Sequence, residues 1–481
     1  MQDLLEFPRK GIRDTLGKPL TSLLVFIVLG GSLALLFVAL HPRLPSRSAW
    51  RWLRSRRLQA IVLVAIIAPA IIGARQVGVM SIAGFLPPQY PNDGTTLDHE
   101  AARQLLAGHN PYVTVDIVTA IRRYGQRPQD TTPLGRGAFA ALYPQQYPTP
   151  AEMNRVFASE PVGQPEHVLE FESHVSYPAL AFLPLVPFVW AGMPSVVIFF
   201  ALCFFALAAL LISAVPPHLR AWVGLLILAD LPLLNAAVGG VLDVFYILLL
   251  FVAWRWWRQP VLSTVFLGLA IAAKQLAWFF LPFYTIYIWR ERGRREALSR
   301  LAGAGGVFAL INGPFILNDP RAWLAGVMAP QVDPMFPLGN GFVGLSVSGL
   351  LPLAPSVVYS VLFGLAIIVC IAWYWHFGRR MPEVALLLAV LPLFFAWRSL
   401  TTYFYFVALP AVVLLIYERT THRGKPTLAF SGPVDTETGR AEMGDAQQRG
   451  RGSSPTVSVR SQRQGPIQSR DMSRHVRRRR R

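Results

Sequence analysis

Residues 92–112 read NDGTTLDHEAARQLLAGHNPY and place three carboxylates, Asp93, Asp98 and Glu100, within eight positions. A carboxylate can serve as general base toward a hydroxyl when it stands within hydrogen-bond reach of the proton it removes. The three differ in how far local structure accounts for them. Asp93 lies between Asn92 and Gly94, where an Asx-turn competes with a chemical role. Asp98 stands where an N-cap belongs if a helix starts near His99, as the run EAARQLLAG predicts. Glu100 then falls in the first turn of that helix, where an acid complements the dipole. Gly108 stops the helix, and Asn110-Pro111-Tyr112 reads as the turn that follows. His99 and His109 read as solvated or hydrogen-bonded surface residues. Asp93 has the least structural need and stands closest to the preceding apolar run. It is therefore the preferred base, with Glu100 as runner-up and Asp98 as a further rival.

Other chemistries find no support in the sequence. Cys203 and Cys370 both lie in apolar runs and form no redox or metal motif. There is no phosphate-cradling P-loop, no Gly-x-Gly-x-x-Gly after a strand, no nucleophile elbow and no His-Glu-x-x-His zinc motif. The Asp98-His99-Glu100 run is not metal spacing, because adjacent helical residues point about 100° apart. No cofactor is expected, and no residues are read as metal ligands.

The elements that must position these acids are membrane helices. Of 481 residues, 53% are hydrophobic and only 15% charged, against about a quarter charged in soluble domains. Apolar runs such as Thr21–Leu40, Leu58–Met80, Pro194–Val215 and Pro355–Trp375 have the length an α-helix needs to cross a bilayer. The expected fold is an all-α, polytopic membrane protein with roughly ten to thirteen membrane segments. The first run is too long for a cleavable signal peptide, and no small-residue cleavage site follows it.

The formal charge of +19 is distributed as membrane topology rather than as a nucleic-acid footprint. Arginines crowd the connections at 41–57, 290–300 and 376–380, which the positive-inside rule assigns to the cytoplasm. The connection 81–176 carries ten acids against six arginines and no lysine, and is expected outside. From about residue 421 the chain is polar, rich in Gly, Ser, Gln and Arg, and ends in RHVRRRRR. That tail is expected to be disordered, cytoplasmic and drawn to anionic lipid headgroups. Four regions follow: N-terminal helices with an Arg-rich loop over 1–80, the external acidic loop 81–176, a helical core 177–420 with a second external loop at 318–354, and the basic tail 421–481.

Within the core, residues 177–190 are too short and proline-rich for a simple crossing and predict a broken or re-entrant segment. Helices are predicted at 195–214, 301–317, 356–375, 382–397 and 400–417. Residues 221–254 predict a hairpin turning at 235–243, and 261–289 a second, short hairpin turning at Lys274-Gln275. This order brings polar residues to one side: the 92–112 stretch, Asp243, Lys274, Gln275, Asn340 in FPLGNGFVGL, and Arg398. His174 and Tyr177 frame the re-entry of the long loop. Charged groups at membrane depth face internal cavities. A carboxylate beside a cavity that also holds a cation suits transfer from a lipid-linked donor. Lys274 and Arg398 would bind the lipid phosphate, the acid would take the acceptor's proton, and the apolar helices would hold the tail.

The chain resembles the GT-C superfamily of integral-membrane glycosyltransferases, nearest to GT87-like mannosyltransferases that use polyprenyl-phosphate sugars. The resemblance rests on DGTTLDHEAARQLLAGHNPY (93–112), SYPALAFLPLVPF (176–188), GLAIAAKQLAWFFLPF (268–283) and the basic loop after it, in family order. It implies a multi-pass plasma-membrane enzyme moving a mannose-like hexose from polyprenyl phosphate to a hydroxyl of a glycan or glycolipid acceptor on the external face. It maps the catalytic acid to Asp93, 15 residues before Gly108, and the phosphate-binding lysine to Lys274. The convergence on one side makes Asn110, Tyr112, His174, Tyr177, Asp243, Gln275 and Asn340 candidates for lining the substrate. The chain departs from the pattern in having two apolar segments ahead of the acidic loop, and Leu97 where a tyrosine is common. The rival readings are a transporter or flippase for lipid-linked glycans, a glycan polymerase or ligase, and an assembly scaffold; no second copy of either motif, as a transporter repeat would need, is visible.

Overall fold

The computed structural model describes residues 18–40, 55–164, 167–168 and 170–422. The expectations for the Arg-rich loop at 41–54 and for the tail beyond His422 lie outside the described residues. The architecture is helical, and the one described sheet is a two-residue parallel pair, Leu338–Gly339 with Arg398–Ser399.

Among the described residues, five helices are long and apolar enough to cross a membrane: Pro19–Ala39, Gln59–Ala83, Arg294–Asn318, Ser356–Phe377 and Thr402–Thr421. Only 11 to 39% of the apolar window of each is buried against the rest of the chain. Leu24, Ile61, Ile71, Leu310, Leu317, Val357 and Ile368 stand exposed on them. Apolar faces of this extent need a lipid solvent, since soluble monomers do not display them. Pro217–Ala229 and Leu231–Val238 make a sixth span if taken together, bent by 62°. Four apolar helices are shorter: Ala179–Trp190, Val197–Ser213, Pro260–Ala273 and Val384–Phe395. Among the described residues, five or six helices therefore have crossing length, against the ten to thirteen membrane segments expected.

The two hairpins are present, with adjusted edges. The first turns at Gly239–Leu242 and returns as Asp243–Arg255. The second runs Pro260–Ala273, breaks at Lys274, continues as a 3-10 turn over Gln275–Phe280, and returns as Leu281–Arg292. The break places Lys274 in extended backbone (φ −152°, ψ 139°) at a hairpin tip. Residues 177–190 are irregular as expected, built from two 3-10 turns and a short helix. The basic 290–300 connection is shorter than expected. The chain turns at Gly293 (φ 95°), and Arg294 already begins the next helix. At this end of the bundle Arg258 pairs with Glu418, Arg292 lies over Trp257, and Arg379 donates to the Arg290 carbonyl.

The region 81–176 is a folded cap. It contains the helices Asp93–Leu106, Ile117–Tyr124 and Pro150–Ser159. The last is closed by a reciprocal capping box between Thr149 and Glu152. Its apolar residues Leu97, Ile117, Ile121, Phe139, Met153, Phe157 and Phe171 form one buried cluster that also takes in Phe315, Val327 and Phe336. Burying each such side chain contributes about 1.5–3 kcal/mol. The cluster therefore fastens the cap to the 320–336 segment. Leu134 bridges Met335, Gly135 donates to the Pro334 carbonyl, and Arg136 pairs with Asp333. The two loops expected on one side of the membrane are thus packed together.

Candidate functional site

The Asp93–Leu106 helix begins six residues earlier than the sequence predicts, and this changes the standing of all three acids. Asn92 is the N-cap: its side chain accepts from the Thr95 N–H at 2.8 Å. Asp98 is therefore no cap. It sits mid-helix, 1% exposed, and one of its carboxylate oxygens has no hydrogen-bond partner. Burial pushes its carboxyl up to about 8, with Lys274 pulling the other way. The C-terminal end follows expectation. Gly108 adopts φ 82°, His109 N–H bonds to the Gln104 carbonyl and Gly108 N–H to that of Leu105, the Schellman closure.

Glu100 lies in the second turn, so its expected dipole role does not hold. It is held by Arg103 at 2.6 Å, with Arg123, Gln104 and the Tyr124 hydroxyl around it. Burial pushes its carboxyl up, but the two arginines outweigh this and hold it below the usual carboxylate range. Its oxygens are committed to this ion cluster. His99 is not a surface residue either. It is buried, Nδ1 is 2.8 Å from the Tyr90 hydroxyl, and its ring stacks on Tyr124 at 4.2 Å. Burial holds its pKa down to about 4. His109 is exposed, as expected.

Asp93 occupies the first turn and is half-buried. Oδ1 accepts from the Gly94 N–H at 2.9 Å, one residue on and so not the Asx-turn that the sequence suggested, and Oδ2 accepts from the Thr132 N–H at 2.8 Å. These two amides aim the carboxylate while leaving lone pairs on both oxygens. A Cβ on Gly94 would come within 3.3 Å of the Tyr177 hydroxyl oxygen. Glycine there lets the acid and the phenol approach.

Lys274 does not stand free. Nζ donates to Asp243 at 2.7 Å, both side chains are buried, and the ammonium lies over the rings of Tyr177 and Tyr246 at 5.2 and 5.7 Å. Asp243 therefore pairs with Lys274, and its other oxygen is unpartnered. Gln275 is a tether, donating to the carbonyls of Ser176 and Val327. Asn110 caps the short Pro111–Thr114 helix and donates to Asn318, while the Tyr112 hydroxyl donates to the Tyr177 carbonyl at 2.8 Å. These three hold the wall together.

Arg398 presents the opposite picture. Its Nη1 is buried with no hydrogen-bond partner, as are the Ser399 hydroxyl and Asn340 Oδ1. The strand pair brings the three together: Leu338 aligns with Arg398, Gly339 with Ser399, and Asn340 N–H bonds to the Ser399 carbonyl at 3.0 Å. Gly339 has φ 138°, and a Cβ there would come to 2.1 Å of that same carbonyl, so only glycine permits the crossing. Asn340 Nδ2 is fixed by the Thr401 hydroxyl at 2.8 Å. Tyr403 feels the charges of both Arg398 and Asp243, and Tyr177 those of Asp93, Asp98 and Asp243. The acids and cations singled out in the sequence, Glu100 apart, therefore share one wall.

His174 lies at the edge of that wall, with Nδ1 3.0 Å from Glu172 and 3.6 Å from Asp333. Among the described residues these three bring one ligand atom each to within 4.8 Å of one another. The sequence reading missed Glu172 and Asp333. The spacing Glu172-x-His174 is visible in the chain, but Asp333 is 159 positions from His174 and nothing local marks it. Comparison with protein-family models, with curated proteins and with solved structures finds no match for this chain.

Proposed function

We propose that the chain is an integral-membrane glycosyltransferase of the GT-C type. It would move a mannose-like hexose from a polyprenyl-phosphate donor to a hydroxyl of a glycan or glycolipid acceptor. In this reading it is a multi-pass plasma-membrane protein, with the cap 81–176 and the 318–354 segment outside and the basic end and tail in the cytoplasm. The observation that carries the reading is the set of unpartnered buried polar atoms on Arg398, Ser399 and Asn340, together with an Asp93 carboxylate aimed by two backbone amides. An unpaired buried guanidinium nitrogen is costly, and an anionic oxygen relieves that cost with a charge-assisted bond.

The geometry supports one role for each group. The donor's phosphate lies on Arg398, and its polyprenyl tail lies along the exposed apolar helices. Asp93, held by two amides, accepts the acceptor's hydroxyl proton. The acceptor oxygen then bonds to the sugar's anomeric carbon as the bond from that carbon to the phosphate oxygen breaks. The electron pair and negative charge leave with the polyprenyl phosphate, stabilised by Arg398. Lys274 and Asp243 form a buried strut behind Tyr177 rather than the primary phosphate site.

The 62° bend between Ala229 and Leu231 and the broken 179–190 segment favour a second reading, a flippase for lipid-linked sugars. Incubating proteoliposomes with a panel of radiolabelled polyprenyl-phosphate sugars separates the two. Transfer of label to an acceptor supports the enzyme. Movement of intact donor between leaflets without cleavage supports the flippase.

A further inference from the structure

Three chain segments meet at the edge of the cap. Pro133 bridges Phe171, Leu134 bridges Met335, and Glu172 N–H bonds to the Thr132 carbonyl at 3.0 Å. Two of these segments carry the three potential ligands, Glu172 and His174 on one and Asp333 on the other. Backbone pairing on both sides of the 132–135 segment fixes their relative positions before any ligand arrives. The Ser173 hydroxyl, between the first two, accepts from Ile117 N–H and locks that segment to the cap.

The side chains are built as a site and are incompletely satisfied as a cluster. Glu172 is 4% exposed and Asp333 6%. Glu172 Oε2 and Asp333 Oδ2 are buried with no hydrogen-bond partner. Asp333 Oδ2 points at His174 Nδ1 from 3.6 Å, beyond a hydrogen bond, while Glu172 Oε1 stands 3.0 Å from the same nitrogen. In a tetrahedral site with ligand bonds of about 2.1 Å, neighbouring ligand atoms lie about 3.4 Å apart. Both spacings bracket that edge. His174 is 41% exposed, which leaves a path from solvent.

We propose that Glu172, His174 and Asp333 bind one divalent transition-metal ion of the zinc or manganese class. Two carboxylate oxygens and one imidazole nitrogen are a borderline donor set, suited to zinc or manganese and unlike the all-oxygen cages of calcium or magnesium. Arg136 sits on Asp333 Oδ1, the oxygen facing away from His174. It orients the ligand carboxylate and opposes the ion's charge. The site is separate from the Asp93 and Arg398 roles, and its existence does not depend on the glycosyltransferase reading. Three residues along the chain lies Tyr177, so the ion would anchor the strand that leads onto the wall.

The test is metal binding itself. Full-length protein in nanodiscs, stripped with chelator, is titrated with Zn²⁺, Mn²⁺ and Mg²⁺ by calorimetry, and bound metal is counted by elemental analysis. One equivalent of Zn²⁺ or Mn²⁺ is expected. His174→Ala and Asp333→Asn should each weaken binding by about tenfold or more, since losing even an outer-shell partner costs 10–100-fold. The melting temperature of each metal-free variant guards against misreading a folding defect as ligand loss. Absence of binding, affinity unchanged in His174→Ala, or equal affinity for Mg²⁺ would each overturn the proposal.

Discussion

Lys274 and Arg398 stand on one wall and look interchangeable in sequence, yet the fold treats them differently. Lys274 is closed in, paired with Asp243 and roofed by two tyrosine rings. Arg398 keeps a buried nitrogen without a partner, beside two further unpartnered polar atoms. The first pairs its cation, with only Asp243 Oδ1 left unpartnered, and holds structure; the second leaves its cation's nitrogen open. The same division separates the acids. Glu100 is saturated by Arg103, Arg123 and Tyr124, and Asp98 is sealed, whereas Asp93 is aimed by two amides and remains half-exposed.

The largest effect belongs to Asp93. Asp93→Asn should lower turnover by about 10²–10⁴-fold, the usual contribution of a general base, with protein yield unchanged. Glu100→Gln should instead act on stability, and a large turnover loss there with none at Asp93 would reverse the assignment. Next comes Lys274→Ala, which leaves Asp243 buried and uncompensated and should destabilise the fold by about 3–5 kcal/mol, read as lost monodispersity and melting temperature. The double variant Lys274→Met with Asp243→Asn should recover most of that loss. If Lys274→Ala were stable and only donor binding fell, the contrast between the two cations would fail.

Arg398→Gln should raise the donor KM by about 10–100-fold, matching the loss of one charged hydrogen bond of about 1.5–3 kcal/mol, with Arg398→Lys recovering part. The smallest effect concerns Asp98. Its folded value near 8 lies above its ordinary value of 3.8, so the folded chain retains a proton that the unfolded chain has released. Stability therefore falls as pH rises from about 4 to about 8. Lys274, Tyr112 and Tyr177 face this group. Asp98→Asn removes the titration and should raise the melting temperature by roughly 3 °C or more at pH 8.5, with the gain shrinking toward pH 5. A gain independent of pH would contradict the buried-acid account.

Much of the frame was legible because it depends on local pattern. Apolar run length marked the spans, and the small-residue run ending at Lys274 marked the hairpin tip. Gly108 marked the helix end. The helix start was misplaced because two residues offered cap chemistry, and Asn92 rather than Asp98 holds the position where its side chain reaches the N3 amide. That slip turned a buried acid into a supposed cap. The partner of Lys274 and the neighbours of Arg398 were illegible for another reason. Asp243 is 31 positions from Lys274, and Asn340 is 58 from Arg398. Only the hairpin and the strand crossing at Gly339 bring them together, and no sequence period encodes such pairings.

The central claim is that a sugar is transferred at this wall. The most direct measurement follows a doubly labelled polyprenyl-phosphate hexose, one label in the sugar and one in the lipid phosphate, in proteoliposomes with a hydroxyl acceptor. The account predicts that the two labels separate, the sugar appearing on the acceptor and free polyprenyl phosphate in equal amount, and that Asp93→Asn stops this while the donor still binds. Labels that stay together and merely change leaflet, at the same rate in wild type and Asp93→Asn, would contradict it.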